Sequence, residues 1–335
     1  MAQEVEQQPA LALCLAQLPG VTVQSFWLRE RDLPDLDSSP QAWIDQIGVS
    51  PQAQPNFILL SDPSSSATND LLQGLDFAYP GSVKVGGLAS GRTMGGGSGL
   101  FFNDRYCEEG TVGLALSGDI ALRTIVSQGC RPIGPVFRVT EGEQNIILQV
   151  QEEGDSAPDQ TFPPLEALQS IIRKLEETDR QLAQHSLFIG VAHSEFQAEL
   201  EPGDFLIRNL LGVDPRAGAI AMGDRVRSGQ RIQFHLRDAN ASADDLEILL
   251  ERYKLQHGLG NIEGALMFSC MGRGEQLYNQ ANFDSGLLQR HLGQIPLSGF
   301  FCNGEIGPIG GSTYLHGYTS VFGLLCHPHE PDSQI

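Results

Sequence analysis

The sequence predicts an α+β protein of two related halves, each a largely antiparallel sheet with helices on its outer side, the two sheets packed together. Three observations carry that prediction. Short apolar runs with period-two alternation recur along the 335 residues, helix-period runs fall between some of them, and one ordered block of motifs occurs twice. A hydrophobic fraction of 41% is ample for a core, and the length suits about two domains.

Met1–Pro9 is rich in Gln and Glu and reads as a frayed end. Leu11–Leu18 and Val21–Trp27 are strand-like runs on either side of a Pro19-Gly20 turn signal. The first follows Glu4 and Glu6 and no basic leader, so it reads as a buried strand and not as a secretory signal. Pro34–Gln54 is a loop carrying a short helix around Trp43 and Ile47. Phe57–Leu60 is a buried strand, Asp70–Ala78 a helix, and Val83–Val85 a strand running into Gly86-Gly87. Thr111–Val150 alternates apolar and polar residues with turns at short intervals, the pattern of an antiparallel meander with one wet face.

The acidic stretch Glu152–Gln160 marks the boundary between halves. Pro163-Pro164 opens a helix with Leu165, Leu168, Ile171, Ile172 and Leu175 on one face. Strands follow at Ser186–Ala192, Asp204–Gly212, Ala217–Met222 and Arg231–Arg237, the last pointing Ile232, Phe234 and Leu236 inward. Ser242, with Asp245 three residues on, resembles a capping box for a helix that stops near Gly258. Residues 1–10 are therefore a frayed end, 11–155 the first half, 156–326 the second and 327–335 a tail.

The repeat is specific in its order. Phe57–Asp62, Leu71-Leu72-Gln73, Tyr79-Pro80 and Val83–Gly87 are followed by Gly264–Ser269, Leu287-Leu288-Gln289, Ile295-Pro296 and Gly299–Gly304. The spacing from Leu-Leu-Gln to Pro is the same in both, which favours duplication. Superposed, the two blocks are expected to show one strand order.

Charge narrows the function. Acidic residues outnumber basic ones 41 to 21, a formal net charge of -20, which repels phosphate backbones and anionic lipid. Nucleic acid is not an expected partner, and no apolar run approaches the ~18 residues of a membrane span. Cys14, Cys107, Cys130, Cys270, Cys302 and Cys326 are dispersed with no C-x-x-C pair, the pattern of reduced thiols in a cytoplasmic protein.

The richest constellation joins Phe268–Gly274 to Ser298–Gly307, two strands that break into glycine where polar side chains appear. Such ends form a cleft with exposed backbone N–H groups. Arg273 pairs with a carboxylate and Glu305 accepts an ammonium in this reading, which suits a zwitterion such as an amino acid. The expected ligand-binding set is Cys270, Arg273, Asn303, Gly304 and Glu305, with Gly86 and Gly87 from the first repeat. Arg273→Ala is expected to abolish ligand stabilisation and leave the free protein folded. The alternative is a surface Arg273–Glu305 ion pair bridging two loops.

Catalytic patterns do poorly. Gly96-Gly97-Ser98-Gly99 fails the nucleophile-elbow spacing because Leu100 follows, and Gly95–Gly99 lacks the Gly-Lys-Ser/Thr of a phosphate loop, so a hairpin or loop is expected there. No His is placed beside Cys270 or Cys302. Cys326-His327-Pro328-His329 is short of the four ligands a closed metal site needs. His235 reads as a surface or interface residue, and Cys130-Arg131-Pro132 as a turn between meander strands. No catalytic residue, metal or cofactor is expected.

These residues carry a resemblance. Gly264–Leu325, with its Cys-x-Gly-Arg-Gly turn and Gly-Phe-x-x-x-Gly-Glu-Ile-Gly stretch, resembles the C-terminal domain of the FIST family, and Gly223–Val226 with Gly229–Asp238 resembles the segment before it. Phe57–Gly91 and Gln128–Gly134 look like the N-terminal FIST domain, in the cyanobacterial and plastid manner. The resemblance implies a sensory protein that binds a small ligand, with amino acids the leading suggestion, and signals through a partner protein. A ligand-free interaction scaffold or a Cys-dependent enzyme are the alternatives. The family's ubiquitin-ligase role does not carry over, since no F-box-like segment is seen. The usual opening strand–helix–strand unit is also not seen, which predicts an unprotected edge at Leu11–Leu18 or Val21–Trp27, with either self-association through it or rapid amide exchange over about the first fifty residues.

Overall fold

A computed structural model describes residues 3–90, 99–154, 160–194, 197, 200, 202–259 and 261–328. The chain forms two compact units, Met1–Ser127 with Leu246–Ile335, and Gln128–Asp245. The first begins with β1 (Val21–Leu28), α1 (Pro40–Ile47), β2 (Asn56–Ser61), α2 (Thr68–Ala78) and β3 (Lys84–Leu88). The hairpin β4 (Leu100–Phe102) and β5 (Arg105–Cys107), then β6 (Thr111–Gly118) and β7 (Ala121–Ser127), follow. The second unit holds β8 (Cys130–Glu143), β9 (Ile146–Glu152), α3 (Pro164–Lys174), α4 (Glu177–Ala183) and β10 (Leu187–Ala192). It continues with β11 (Phe205–Asp214), β12 (Ala219–Met222) and β13 (Arg231–Arg237). After α5 (Ala239–His257), the chain completes the first unit with β14 (Ile262–Cys270), α6 (Glu275–Tyr278), α7 (Phe283–Leu292) and β15 (Leu297–Cys302). The last strands are β16 (Glu305–Ile309), β17 (Ser312–His316) and β18 (Ser320–Cys326).

The first unit is a four-layer sandwich. A six-stranded sheet, β1-β6-β2-β3-β16-β17, faces a four-stranded sheet, β15-β14-β18-β7. Val85, Leu122, Phe268, Cys302 and Val321 form the buried seam between them. On the outer face of the first sheet, Trp43, Leu71 and Leu75 pack on Phe57 and Leu59. On that of the second, Leu246, Leu250 and Leu288 pack on Met267 and Phe322. The continuous apolar run of β2 now has its reason. Phe57 and Leu59 serve the helix layer, while Ile58 and Leu60 serve the opposite sheet.

The duplication is visible in the strand order. β6-β2-β3 has β2 parallel to β3 and antiparallel to β6, and β18-β14-β15 has β14 parallel to β15 and antiparallel to β18. β1 and β7 add the same outer antiparallel neighbour to each. The α+β class, with antiparallel pairing predominant and helices outside, is as the sequence predicts.

Several local expectations are corrected. Thr111–Val150 is no meander: β6 enters one sheet, β7 the other, and β8 and β9 a closed barrel of order β10-β11-β12-β9-β8-β13. Alternation sets which residues share a face but not which strand lies alongside. Cys130-Arg131-Pro132 lies within β8, where Arg131 pairs with Asp179 at 2.5 Å and Asp238 at 2.9 Å. The compact units are divided differently from the two halves of the chain: Gln128–Asp245 is one unit, while β7 pairs with β18 and β16 with β3 in the other. Leu11–Leu18 is not a buried strand. Leu11, Leu13 and Leu15 are 86%, 69% and 86% exposed in a segment without regular structure. β1 is the edge strand of its sheet, with Val23 exposed. The α5 cap is Asp238, whose Oδ1 accepts from the Ala241 N–H at 2.7 Å, while Ser242 Oγ donates to the Gly129 carbonyl.

In the barrel, Ile232, Phe234 and Leu236 point inward as expected, among Phe137, Ile189, Ile220 and Met222. His235 is not a surface residue: it is 1% exposed, against Phe205, with Nδ1 at 3.0 Å from the Gln233 carbonyl. Among the described residues its Nε2 has no hydrogen-bond partner. Burial pushes its pKa down from 6.5 to about 4. The unfolded chain therefore binds this proton first, so stability is lost as pH falls from 6.5 towards 4. A shift of that size corresponds to about 3 kcal/mol. Urea denaturation at stepped pH should show that slope, and His235→Phe should remove it; an unchanged slope in the variant would exclude His235 as its source.

Candidate functional site

The seven residues singled out by sequence come together at one end of the sandwich, where the parallel strands β14 and β15 finish. Cys270 and Cys302 are register partners on those strands. Backbone bonds close the turn beyond them: Cys270 N–H to the Thr319 carbonyl at 2.9 Å, Met271 N–H to that of Cys302 at 3.0 Å, and Arg273 N–H to that of Cys270 at 2.9 Å. The Cys302–Glu305 turn closes on β3. Asn303 Nδ2 donates to the Ala89 carbonyl at 2.9 Å and Leu88 N–H to that of Gly304 at 2.8 Å, while Gly87 lies opposite Glu305 in the ladder. A Cβ on Gly87 would lie 2.3 Å from Cys302 Sγ, so close approach is why glycine stands there.

The charges are arranged differently from the expectation. Arg273 is fully buried and forms no surface pair with Glu305. Its Nε and Nη2 donate to the two oxygens of Asp284 at 2.7 and 3.0 Å, and Nη2 also donates to Tyr278 Oη at 2.5 Å. The guanidinium lies 5.6 Å from the centre of the Tyr278 ring, which stacks on Phe283. Its fork is thus filled by the protein's own carboxylate. Glu305, also 0% exposed, accepts from the Thr319 N–H at 3.1 Å. Beside it Tyr318 sits at φ 63°, a conformation uncommon for an aromatic residue and found where surrounding structure enforces it. The open side of the cluster is formed by Met271 and Asn303, both exposed, with Cys270 half-buried.

Asp284, Tyr278 and Thr319 were not singled out by sequence. The signal for Asp284 was present: it is an acid in the first turn of the helix that carries the repeated Leu-Leu-Gln motif. Cys302 is ill suited to nucleophilic chemistry, because burial, with Glu305 and Cys270 nearby, pushes its thiol well above the usual range. No group of three His, Cys, Asp or Glu side chains gathers for a metal among the described residues. Gly95–Ser98 and His329 lie outside the described residues. A cavity of about 660 Å³ lies at the opposite ends of β14 and β15, between Leu13–Pro19 and Glu263, Pro296 and Leu297. None of the seven residues lines it.

The duplicated sandwich and the polar, glycine-edged cluster at its end define the class of protein. Two family models match the chain, the FIST N domain over residues 2–153 and the FIST C domain over residues 164–308. The chain belongs to the FIST family, whose domains are sensory and signal-transduction modules. It is similar to Uncharacterized protein Rv0628c of Mycobacterium tuberculosis, 36% identical over 322 residues, 96% of this chain and 79% of that one. F-box/LRR-repeat protein At5g63520 of Arabidopsis thaliana is 21% identical over 323 residues, 82% of this chain and 58% of that one. F-box only protein 22 of Homo sapiens is 34% identical over 84 residues, 24% of this chain and 21% of that one. Among the described residues no helix is long and apolar enough to cross a membrane.

Proposed function

We propose that this chain is a cytoplasmic sensor that binds a small zwitterion, an amino acid or a close analogue, at the cluster of Cys270, Asn303, Gly304, Glu305, Gly86 and Gly87, without a reaction of its own. The observation that carries the reading is the convergence of two glycine-broken strand ends from the duplicated halves on a buried carboxylate, Glu305. Glu305 supplies the charge for an ammonium group, and Asn303 supplies an adjustable polar contact at the mouth. Arg273 holds the floor through Asp284 and acts on the ligand only through that support. The six thiols, none of them in a disulfide, support a reducing compartment.

Thermal denaturation against a panel of amino acids and small acids tests the reading. A ligand at a hundred times its dissociation constant should add about 2.7 kcal/mol. Asn303→Ala should reduce that gain without changing the free protein, since Asn303 is exposed. Arg273→Ala is no longer the right variant, because it strands Asp284. Stabilisation by no member of the panel would favour the ligand-free scaffold, and turnover of the bound compound would favour an enzyme.

A further inference from the structure

The parallel ladder of β14 and β15 ends on two cysteines set directly opposite each other, Cys270 and Cys302. Residues two apart on a strand share a face, so both thiols follow Phe268 and Phe300, which are register partners as well. Those two rings meet edge to face with centroids 5.7 Å apart, so partners on this face touch across the ladder. Phe268 and Cys302 belong to the buried seam between the sheets, and Phe300 packs against it. Ladder neighbours have Cα atoms about 4.8 Å apart, inside the range of roughly 4.4–6.8 Å that a disulfide spans. The other strand cysteines are placed differently: Cys107 faces Leu100, Cys130 faces Arg237, and Cys326 faces Ala121 and Ile262.

The two sulfurs differ in access and in hydrogen bonding. Cys270 is half-buried beside the exposed Met271 and Asn303, and its Sγ accepts from the Gly272 N–H at 3.5 Å. Cys302 is 0% exposed, and its Sγ donates to the Phe300 carbonyl at 3.5 Å. A reagent from solvent therefore reaches Cys270 first, and Cys302 only through it. Burial pushes the Cys302 thiol up and keeps it protonated until then.

We propose that Cys270 and Cys302 are a redox-active dithiol that closes to a disulfide by exchange with a small disulfide of the glutathione type. Cys270 Sγ, as the thiolate, attacks one sulfur of the oxidant, forming a mixed disulfide and releasing one thiolate. Cys302 then gives up its proton, attacks Cys270 Sγ and expels the second thiolate. Two electrons and two protons leave the protein, and the small disulfide becomes two thiols. Cys302 Sγ now rests against Gly87, where a Cβ would lie 2.3 Å from it, and must turn towards Cys270 to make the bond. A disulfide that needs such adjustment is easily reduced, which is the labile, regulatory kind. The pair thus stays open in a reducing compartment and closes as the thiol pool is oxidised. The inference stands on the two thiols and needs no ligand, so it and the zwitterion reading can fail separately.

The test incubates the full chain with excess oxidised glutathione, carrying Cys14→Ser to remove a thiol that is exposed. The protein is then unfolded, its free thiols are alkylated, and it is digested with trypsin and chymotrypsin for mass mapping. The expected product is a peptide pair joined through Cys270 and Cys302, lighter by two hydrogen atoms, from a chain that still migrates as a monomer without reductant. Dithiothreitol should restore both thiols. Adding Cys302→Ser should strand glutathione on Cys270, at least about ten-fold more than the parent retains, because a neighbouring thiol at high effective concentration displaces it. If that variant does not fold, the peptide map of the parent decides the matter by itself. Recovery of both thiols alkylated, a lasting glutathione adduct on Cys270 of the parent, or a bridge found only between two chains would each overturn the proposal.

Discussion

Asp284→Ala is expected to cost about 3–5 kcal/mol of stability, as the breaking of a buried ion pair does. Arg273 is completely buried and Asp284 is 1% exposed, and the carboxylate takes two of the guanidinium's hydrogen bonds. Its removal takes the opposing charge away from a buried guanidinium that also donates to Tyr278 Oη and, at 3.5 Å, to the Ser127 carbonyl. Desolvation of that charge is then no longer offset by an opposite charge at hydrogen-bond distance. Asp284→Asn retains one acceptor and should cost less. Arg273→Leu with Asp284→Leu should recover much of the loss, because a buried pair replaced by apolar groups of similar volume is often neutral. Urea denaturation of the four proteins measures the cycle. A loss below 1 kcal/mol in Asp284→Ala would mean that water reaches the guanidinium.

Gly86→Ala and Gly299→Ala should each prevent folding or destabilise by more than about 4 kcal/mol, well above the ~1 kcal/mol that a helical glycine exchange moves. Gly86 lies opposite Leu59 in the parallel pair β2–β3, and Gly299 opposite Met267 in β14–β15. Both have φ 158°, and at both a Cβ would stand 1.8 Å from the partner's carbonyl oxygen. The obstacle is backbone, so no rotamer change relieves it, and the strands must separate. The same contact at equivalent places in both repeats also ties the duplication to a physical requirement. Circular dichroism and yield of soluble protein read the outcome. A well-folded Gly299→Ala protein would show that β15 can shift away from β14 at small cost.

Much of the fold was legible in the sequence for local reasons. Asp70–Ala78, Phe57–Leu60, Arg231–Arg237 and the helix ending at Gly258 stand close to where periodicity placed them, since a period of 2 or 3.6 residues is a property of neighbouring side chains. The repeat of Leu-Leu-Gln, Pro and strand-ending glycine was also readable, and with it the common strand order of the two sheets. Cys270, Arg273, Asn303, Gly304, Glu305, Gly86 and Gly87 were singled out because glycine that interrupts an apolar strand marks close backbone approach, and at Gly87 the approach is to Cys302.

The partners were not legible. Thr111–Val150 alternates throughout, yet its strands enter three different sheets, because alternation fixes a face and leaves the neighbour to long-range packing. Arg273 announced a carboxylate in its sequence context, but only the fold put Asp284 against it, eleven residues on, and so turned an expected ligand clamp into a buried support. Glu4 and Glu6 looked like a polar end in isolation. Their carboxylates find N–H donors only where the chain brings α6 and α7 back, more than 260 residues later, and a carboxylate placed beside a helix N-terminus is a tertiary event with no local periodicity to announce it.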